Sequence, residues 1–325
     1  MATESTNGSP PLGKYLASTD KKTRDKAIKS LAAFLSDPAR EALPKAEMAK
    51  LWKGIFYCFW ISDKPLVQQA LATEISDILL AISDLSVSLA FLRGFWESTV
   101  REWNSIDRLR IDKYYMLVRR FVNASFRLLI RAEWDGAACK EYNGILTQHG
   151  GPLCVDDQRV PLGLAYHLAD IYAEELDKAL ANPPVDSPLP APITTLLAPF
   201  ATLLARAPTV VAYDRVQSAL IDPLLDALLS EGTSEEPPSR KRPRLSTETY
   251  LHLVSNSCTS NPEPEKPQST TALRKAVLQQ LFDIASEPDT RDASRRRLYA
   301  LWKERSEDDE SEDVAKKRSR TVDAS

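Results

Sequence analysis

Basic side chains recur at helical spacing in the stretch from Trp103 to Arg131, and they are the residues best suited to bind an anion. At about 100° per residue, Lys113, Arg120, Arg127 and Arg131 fall within about 40° of one another on a single helix. This candidate binding face comprises Arg108, Lys113, Arg119, Arg120, Arg127 and Arg131. Such a face could hold RNA phosphates, which need only positive charge, or grip a partner's carboxylates through bidentate pairs. It could also be a solvated face paired with neighbouring acids.

The other side of the same stretch is apolar and is predicted to be core. Its apolar residues are Ile111, Tyr114, Tyr115, Leu117, Val118, Phe121, Val122, Leu128 and Leu129. An apolar arc of roughly half the circumference is wider than a surface helix needs, so neighbours must cover it on both sides. The sequence therefore predicts one long central helix from Trp103 to Arg131.

Catalytic chemistry finds little support in the sequence. His149, His167 and His252 are each isolated from other residues at metal-ligand spacing, and His167 is predicted to be a hydrogen-bonded packing residue. No phosphate-binding loop, dinucleotide-binding turn or nucleophile elbow is present. Asp107 and Asp112 would point about 140° apart on a helix. We therefore expect a protein that is not an enzyme and needs no cofactor or metal.

Aromatic side chains crowd the segment LWKGIFYCFWI. They are Trp52, Phe56, Tyr57, Phe59 and Trp60. Exposed rings could stack on unpaired bases. Beside leucine and isoleucine at helical spacing, packing between helices is favoured.

Composition limits the class of protein. The chain has 325 residues, 43% of them hydrophobic, with only ten glycines, which argues against a turn-rich β fold. The net charge of -3 excludes a globally basic nucleic-acid coat. Four separated cysteines without a CxxC pair, and no secretory leader, favour a reducing, intracellular compartment. No apolar run reaches the roughly 20 residues of a membrane span, so no membrane partner is expected.

Periodicity and capping residues predict an all-α fold: a HEAT-like or ARM-like α-solenoid of stacked antiparallel helices, with a disordered linker and tail. An irregular all-α domain is the alternative, because no clean repeat of fixed period is found. The run NPPVDSPLPAP, Asn182 to Pro192, is predicted to be a stiff connector. The predicted divisions are a disordered N-terminal tail (1–11), the solenoid (12–230), a disordered linker (231–268), a helical hairpin (269–306) and a disordered acidic and basic tail (307–325).

Two short basic runs fit nuclear-import signals read by importin. They are Arg240, Lys241, Arg242 and Arg244 in the linker, and Lys316, Lys317, Arg318 and Arg320 in the tail. Ser306 precedes Glu-Asp-Asp, which is the pattern of an acidophilic kinase site, or simply of a solvated acidic tail.

Two segments resemble a known family. LWKGIFYCFWISDKPLVQQ (Leu51 to Gln69) and EWNSIDRLRIDKYYMLVRRFV (Glu102 to Val122) are similar to the two signature segments of the nucleolar ribosomal RNA processing protein one / Nop fifty-two family. The resemblance covers roughly Leu12 to Leu229, and more loosely RRRLYALWKER. The short C-terminal tail departs from animal members, and the Pro-rich run looks particular to this chain or its near relatives.

This resemblance implies a non-enzymatic nucleolar assembly factor of the pre-60S particle. It would be required for 27S pre-rRNA processing and would act as a protein- and RNA-binding scaffold in the nucleus and nucleolus. Partners implied by the resemblance are other pre-60S assembly factors, including Brix-domain and β-propeller proteins, with direct contact to pre-rRNA left open. An alternative is a nuclear helical-repeat adaptor for transport or chromatin proteins. A cryptic ribonuclease would need a metal or an acid/base pair.

Overall fold

The computed structural model describes residues 15–16, 18, 20–37, 43–229, 250–260 and 267–322, with residues 21 and 308–322 given by their backbone alone. The described chain is almost entirely helical. Its α-helices are α1 (Lys21–Leu35), α2 (Lys45–Trp60), α3 (Pro65–Ala81), α4 (Leu85–Glu102), α5 (Ile111–Arg131), α6 (Gly136–Thr147), α7 (Leu162–Ala181), α8 (Ile193–Ala205), α9 (Val210–Val216), α10 (Asp222–Leu229), α11 (Leu251–Ser255), α12 (Thr270–Ser286) and α13 (Asp292–Val322). A 3-10 turn, Trp103–Ser105, follows α4, and a π-helical turn, Gln217–Ile221, joins α9 to α10.

The helices stack in two layers. The first layer contains α1, α3, α5, α7 and the bent segment from α9 to α10, and the second contains α2, α4, α6, α8 and α12. Within the first layer α5 and α7 run parallel, since Tyr115 packs on His167 near their beginnings and Asn123 donates to the carbonyl of Glu175 further along. The predicted all-α stack of helical hairpins is therefore confirmed.

Local capping residues explain where several helices begin. The carboxylates of Asp20, Asp84 and Asp135 accept hydrogen bonds from the first-turn N–H groups of α1, α4 and α6. Each carboxylate satisfies a donor that has no partner within its helix. A proline in the first turn of α3, Pro65, has a fixed φ that suits a helix beginning.

The core is centred on aromatic contacts between α2, α4 and α5. Trp52 packs against Phe91, Phe95 and Phe121, with ring centroids 4.6, 5.5 and 5.6 Å apart. Its indole N–H donates to the carbonyl of Phe91 at 3.0 Å. Gly94 permits this approach, because a Cβ at that position would lie 2.5 Å from the indole nitrogen of Trp52. The packing interpretation of the aromatic segment is confirmed for its buried rings, although Tyr57 is exposed.

The prediction of one helix from Trp103 to Arg131 is wrong over its first eight residues. After the 3-10 turn the chain leaves helical geometry, and α5 begins only at Ile111. The reason is a competing local interaction. One carboxylate oxygen of Asp107 accepts the N–H groups of Leu109 and Arg110, at 3.0 and 3.1 Å, and so fixes a turn.

The C-terminal helices pack on the body. The Gln280 side chain of α12 donates to the carbonyl of Thr194, and the N–H of Arg291 donates to the carbonyl of Ala205. Within the predicted hairpin, α12 therefore extends the second layer, and Arg297 and Arg305 of α13 pair with acidic residues of the α9 to α10 segment. The sequence predicts a disordered tail from residue 307, whereas the described backbone of the last helix continues to Val322. Residues 289–325 contain no proline or glycine and are rich in strong helix formers, which explains the longer helix.

The Pro-rich connector ends in a short pairing with a distant segment. Ala191–Pro192 forms a two-residue parallel bridge with Ser257–Cys258. Just before the bridge, Leu253 of α11 is buried, and the Asp177 carboxylate accepts its N–H. The predicted linker (231–268) thus contains a docked segment. The other predicted disordered stretches, 1–11 and most of the linker, lie outside the described residues. None of the described helices combines the length and the apolar character needed to cross a membrane.

Candidate functional site

Lys113, the first residue of the predicted basic face on α5, lies inside the protein. Only 6% of it is exposed, and its ammonium group donates to the carbonyls of Trp60 and Ser62, at 2.7 and 2.9 Å. The carbonyl of Trp60 ends α2, where helix geometry leaves acceptors without partners, and that of Ser62 follows two residues later. Lys113 therefore joins two helices and is not available to an external ligand.

Arg131 has the matching role at the other end of α5. Its guanidinium donates to the carbonyls of Leu80 and Ile82, at 2.6 and 3.0 Å. These carbonyls end α3, so a cation there also faces the negative end of the helix dipole. Both ends of the predicted basic face are thus occupied by contacts within the fold.

Arg119 and Arg127 face carboxylates on the two neighbouring first-layer helices. Arg119 forms ion pairs with Glu174 and Glu175 of α7, both at 2.7 Å. Arg127 lies 4.0 Å from the carboxylate of Asp77 on α3. The arginines of α5 therefore lie between acidic residues of α3 and α7, as the interpretation of a paired face requires.

Arg108 and Arg120 remain available. Both are exposed, and neither has an ion pair with any other described residue. They lie on different elements, because Arg108 precedes α5 in the loop and Arg120 lies on the helix itself. Their role in binding stays a prediction, and the continuous six-residue face is reduced to two separate cations.

The structure instead brings together the two segments that carry the family resemblance. The guanidinium of Arg110 lies over the ring of Trp60, 4.9 Å from its centroid, and pairs with the carboxylate of Asp107. The hydroxyl of Tyr114 donates to the carbonyl of Phe56 at 3.2 Å. With the two bonds of Lys113, these contacts join the loop before α3 to the loop before α5.

This junction lies at one edge of the stack, which we call the start edge. It is formed by residues 61–66, 106–113, 156–162 and 206–211, where α3, α5, α7 and α9 begin. Sequence reasoning missed the junction because Trp60 and Arg110 are far apart in the chain. The signal that could have found it is the presence of both motifs, WISDKP and DRLRID, immediately before successive first-layer helices.

Unpaired lysines lie at one end of the first layer. Lys22, Lys26 and Lys29 are exposed on α1, at spacings that place them on the side opposite the buried Ala27, Ile28 and Leu31. No ion pair joins them to other described residues. They form a more accessible basic surface than the arginines of α5.

The two predicted import motifs and Ser306 lie in the linker and along α13. The import motif at Arg240, Lys241, Arg242 and Arg244 lies outside the described residues. Lys316, Lys317, Arg318 and Arg320 lie in the last turns of α13, where only the backbone is described. Ser306 is half-buried on the same helix.

The histidines have structural partners. His167 Nε2 lies 3.2 Å from the carbonyl oxygen of Tyr115, and its ring packs on that tyrosine, as predicted. His149 lies beside Asp157, whose pKa is held well below its usual range, chiefly by hydrogen bonds from the Arg159 side chain. Among the described residues, no group of three or more His, Cys, Asp or Glu side chains could hold a metal ion.

Lys113 gives a pH prediction. Burial lowers its pKa from 10.5 to about 8 in the folded chain. Between those values the unfolded chain binds the extra proton, so folding should become more favourable as pH rises. We expect the free energy of unfolding of the wild type, minus that of Lys113→Met, to increase from pH 8 to pH 10.5 in urea titrations. Subtracting the variant's value removes the contribution of tyrosines and cysteines, which titrate in both proteins. A difference that stays flat or falls as pH rises would contradict a lowered pKa for Lys113.

Comparison with known proteins agrees with the family resemblance of the two signature segments. A family model described as "Nucleolar protein, Nop52" matches residues 7–324. Ribosomal RNA processing protein 1 homolog B of Homo sapiens is 39% identical over 166 residues, which is 50% of this chain and 22% of the relative. The Dictyostelium discoideum ribosomal RNA processing protein 1 homolog is 28% identical over 307 residues, covering 89% of this chain and 57% of the relative. The chain thus matches about a fifth of the human relative and just over half of the Dictyostelium one.

Proposed function

The chain belongs to the Nop52 family of nucleolar proteins, and we propose on that basis that it acts in ribosome biogenesis as a non-enzymatic assembly factor of the pre-60S particle. In this role it is required for processing of 27S pre-rRNA. The observation that carries the proposal is the family match across nearly the whole chain, since the relatives are named ribosomal RNA processing proteins.

The proposed mechanism is binding. A two-layer helical stack offers long edges and faces to partners, as solenoids do, while its core stays closed. Arg119, Arg127 and Arg131 of α5 contact neighbouring helices in this mechanism, so partners meet other surfaces. Lys22, Lys26 and Lys29 are the basic residues best placed for direct contact with pre-rRNA, because phosphate contacts need only accessible positive charge.

Partners and location follow from the same proposal. Other pre-60S factors, including Brix-domain and β-propeller proteins, are the partner classes suggested by the family resemblance. Importin would bring the protein to the nucleus through the basic runs around Arg242 and Arg318. The nucleolus is the expected site of action, in agreement with the family's description as nucleolar proteins.

Sedimentation tests this function. We expect the tagged protein to co-sediment with pre-60S particles on a sucrose gradient, and its depletion to raise the ratio of 27S precursor to mature large-subunit RNA several-fold on northern blots. Unaltered 27S processing after full depletion, or a protein found only at the top of the gradient, would refute the proposal.

The alternative is a nuclear adaptor for transport or chromatin proteins, favoured only by the solenoid fold and the basic runs. Such an adaptor would stay out of particle fractions while remaining nuclear. A third class, a ribonuclease, would require purified protein that cuts precursor RNA and loses this activity when an acidic pair is replaced.

A further inference from the structure

Exposed apolar side chains are concentrated at the start edge. Among the described residues, the large hydrophobic side chains that are exposed are Tyr15, Tyr57, Leu66, Leu109, Leu162, Val210, Val211 and Leu251. Leu66, Leu162, Val210 and Val211 lie in the first turns of α3, α7 and α9, and Leu109 lies two residues before α5. Four successive first-layer helices therefore each have an exposed aliphatic residue in their first turn or just before it.

Contacts across the stack show that these helix beginnings lie side by side. Lys113, in the first turn of α5, bonds to the carbonyl of Ser62 just before α3. Tyr115 of α5 packs on His167 of α7, with ring centroids 4.3 Å apart. Arg206, before α9, pairs with Asp156, before α7, at 2.5 Å. The exposed aliphatic residues thus form one row.

The opposite edge is a control within the same molecule, because the second-layer helices α4 and α8 begin there. Their first residues are covered: Leu85 is half-buried, and Ile193 is only 2% exposed. These two helix beginnings do not expose an apolar side chain, although Leu251 at the beginning of the short α11 is exposed. The row is a property of the start edge.

Leu109 is the strongest element of the row. It is 92% exposed, yet its backbone is fixed, since its N–H donates to Asp107 and the following Arg110 is held over Trp60. An ordered backbone that presents an unpacked leucine has already lost the conformational entropy that binding would otherwise cost. Such preorganised apolar groups are typical of residues that anchor a partner.

Spacing and charge indicate what fits the row. Packed helices lie about 8–10 Å apart, and an α-helix repeats the same face about every 10.5 Å, which is seven residues. An extended strand alternates faces and fits this spacing poorly. The two most exposed leucines of the described chain each have a cation close in sequence, Lys64 near Leu66 and Arg108 next to Leu109. Neither cation forms an ion pair with another described residue. The exposed Asp63 and Asp112 lie at helix beginnings, where the helix dipole offsets their charge.

We propose that the start edge docks an amphipathic helix of a partner protein, with aliphatic residues about seven positions apart and acidic residues beside them. This inference deepens the proposed function, because it rests on a scaffold role and names the surface and the chemistry of the partner. RNA is disfavoured at this edge, since its backbone offers no aliphatic side chains to cover the leucines.

A synthetic peptide tests the proposal in vitro. The probe is a helix-forming peptide of roughly 28 residues, with one leucine in every seven flanked by glutamates on an alanine background. We expect it to bind the full chain at least tenfold more tightly than a peptide of the same composition whose leucines are spread around the helix, measured by fluorescence anisotropy. Replacing its glutamates by lysine should weaken binding.

Matched variants locate the site. Leu66→Ser, Leu109→Ser and Leu162→Ser combined should weaken peptide binding tenfold or more, because each removes buried apolar area from the complex. Leu251→Ser, an equally simple change at another exposed leucine, should leave binding unchanged. All three positions are solvent-exposed, so thermal unfolding should show that the triple variant is folded.

Several results would overturn the inference. They are equal affinity of the triple variant and the wild type, tighter binding of the lysine peptide, and displacement of the probe by single-stranded RNA. Sedimentation separates this failure from failure of the proposed function. A triple variant that still enters pre-60S fractions leaves the assembly role intact and removes the role of the edge.

Discussion

Replacing Gly94 by alanine is expected to lower the free energy of unfolding by about 2–3 kcal/mol. The added Cβ would lie 2.9 Å from Met48 Cγ and still closer to the ring of Trp52. Trp52 cannot move without disturbing its contacts with Phe91 and Phe121 and its hydrogen bond to the Phe91 carbonyl. Alanine's better helix propensity, worth about 1 kcal/mol, offsets only part of this strain. Urea titration followed by circular dichroism measures the loss.

Gly163→Ala is the matched control. Gly163 lies in the first turn of α7, and a Cβ there meets no atom within 4 Å. We expect this substitution to raise the free energy of unfolding by about 0.4–1 kcal/mol, because alanine has fewer unfolded conformations to lose. Equal stability of the two variants would contradict the close packing of α4 on α2.

Arg131→Ala is expected to cost about 2 kcal/mol. The substitution removes two hydrogen bonds from a charged donor to the carbonyls of Leu80 and Ile82 at the end of α3. The Ile82 carbonyl then retains only the Ser88 hydroxyl, at 3.4 Å. The cation also interacts favourably with the helix dipole there, and alanine does not. Thermal or urea unfolding of the purified chain provides the measurement.

Arg120→Ala on the same helix is the control, with an expected change within about 0.5 kcal/mol. Arg120 is exposed and has no ion pair among the described residues. If both substitutions cost the same, the structural role of the Arg131 side chain would be refuted. Reversing all the charges of the α5 face at once would not test binding. Loss of binding could then reflect unfolding caused by the loss of Arg131.

Helix positions were largely predictable because the signals are local. Aspartate is a residue type that favours the N-cap position, and Asp20 and Asp135 each accept a first-turn N–H. Apolar periodicity identified the buried face of α5, including Phe121 and Leu129. Where two features compete within a few residues, prediction failed. Asp107 accepts hydrogen bonds from two backbone N–H groups and so delays the beginning of α5 to Ile111. Helical spacing alone does not reveal these bonds.

The sequence could not show, for a different reason, which cations of the basic face have partners within the fold. Whether a cation is free depends on what stands opposite it, and the partners of Arg119 and Lys113 lie more than 50 positions away. Helical spacing placed Lys113, Arg127 and Arg131 on one side of α5. It could not show that groups of α2 and α3 stand opposite them, or that α7 supplies the partners of Arg119. The exposure of the start-edge leucines could not be predicted for the same reason. A leucine in a first turn can have the same local sequence whether it is buried or exposed.

Crosslinking mass spectrometry on particles purified through the tagged protein tests the central claim most directly. That claim is that the chain joins the pre-60S particle through the start edge. Lys64 lies two residues from Leu66 and is exposed, so a lysine- or carboxylate-reactive crosslinker reports on this edge. We predict that Lys64 crosslinks to an acidic helical segment of another pre-60S protein, whereas Lys140 on the second layer does not. Particles in which Lys64 forms only crosslinks within its own chain, while Lys140 joins the partners, would contradict the account.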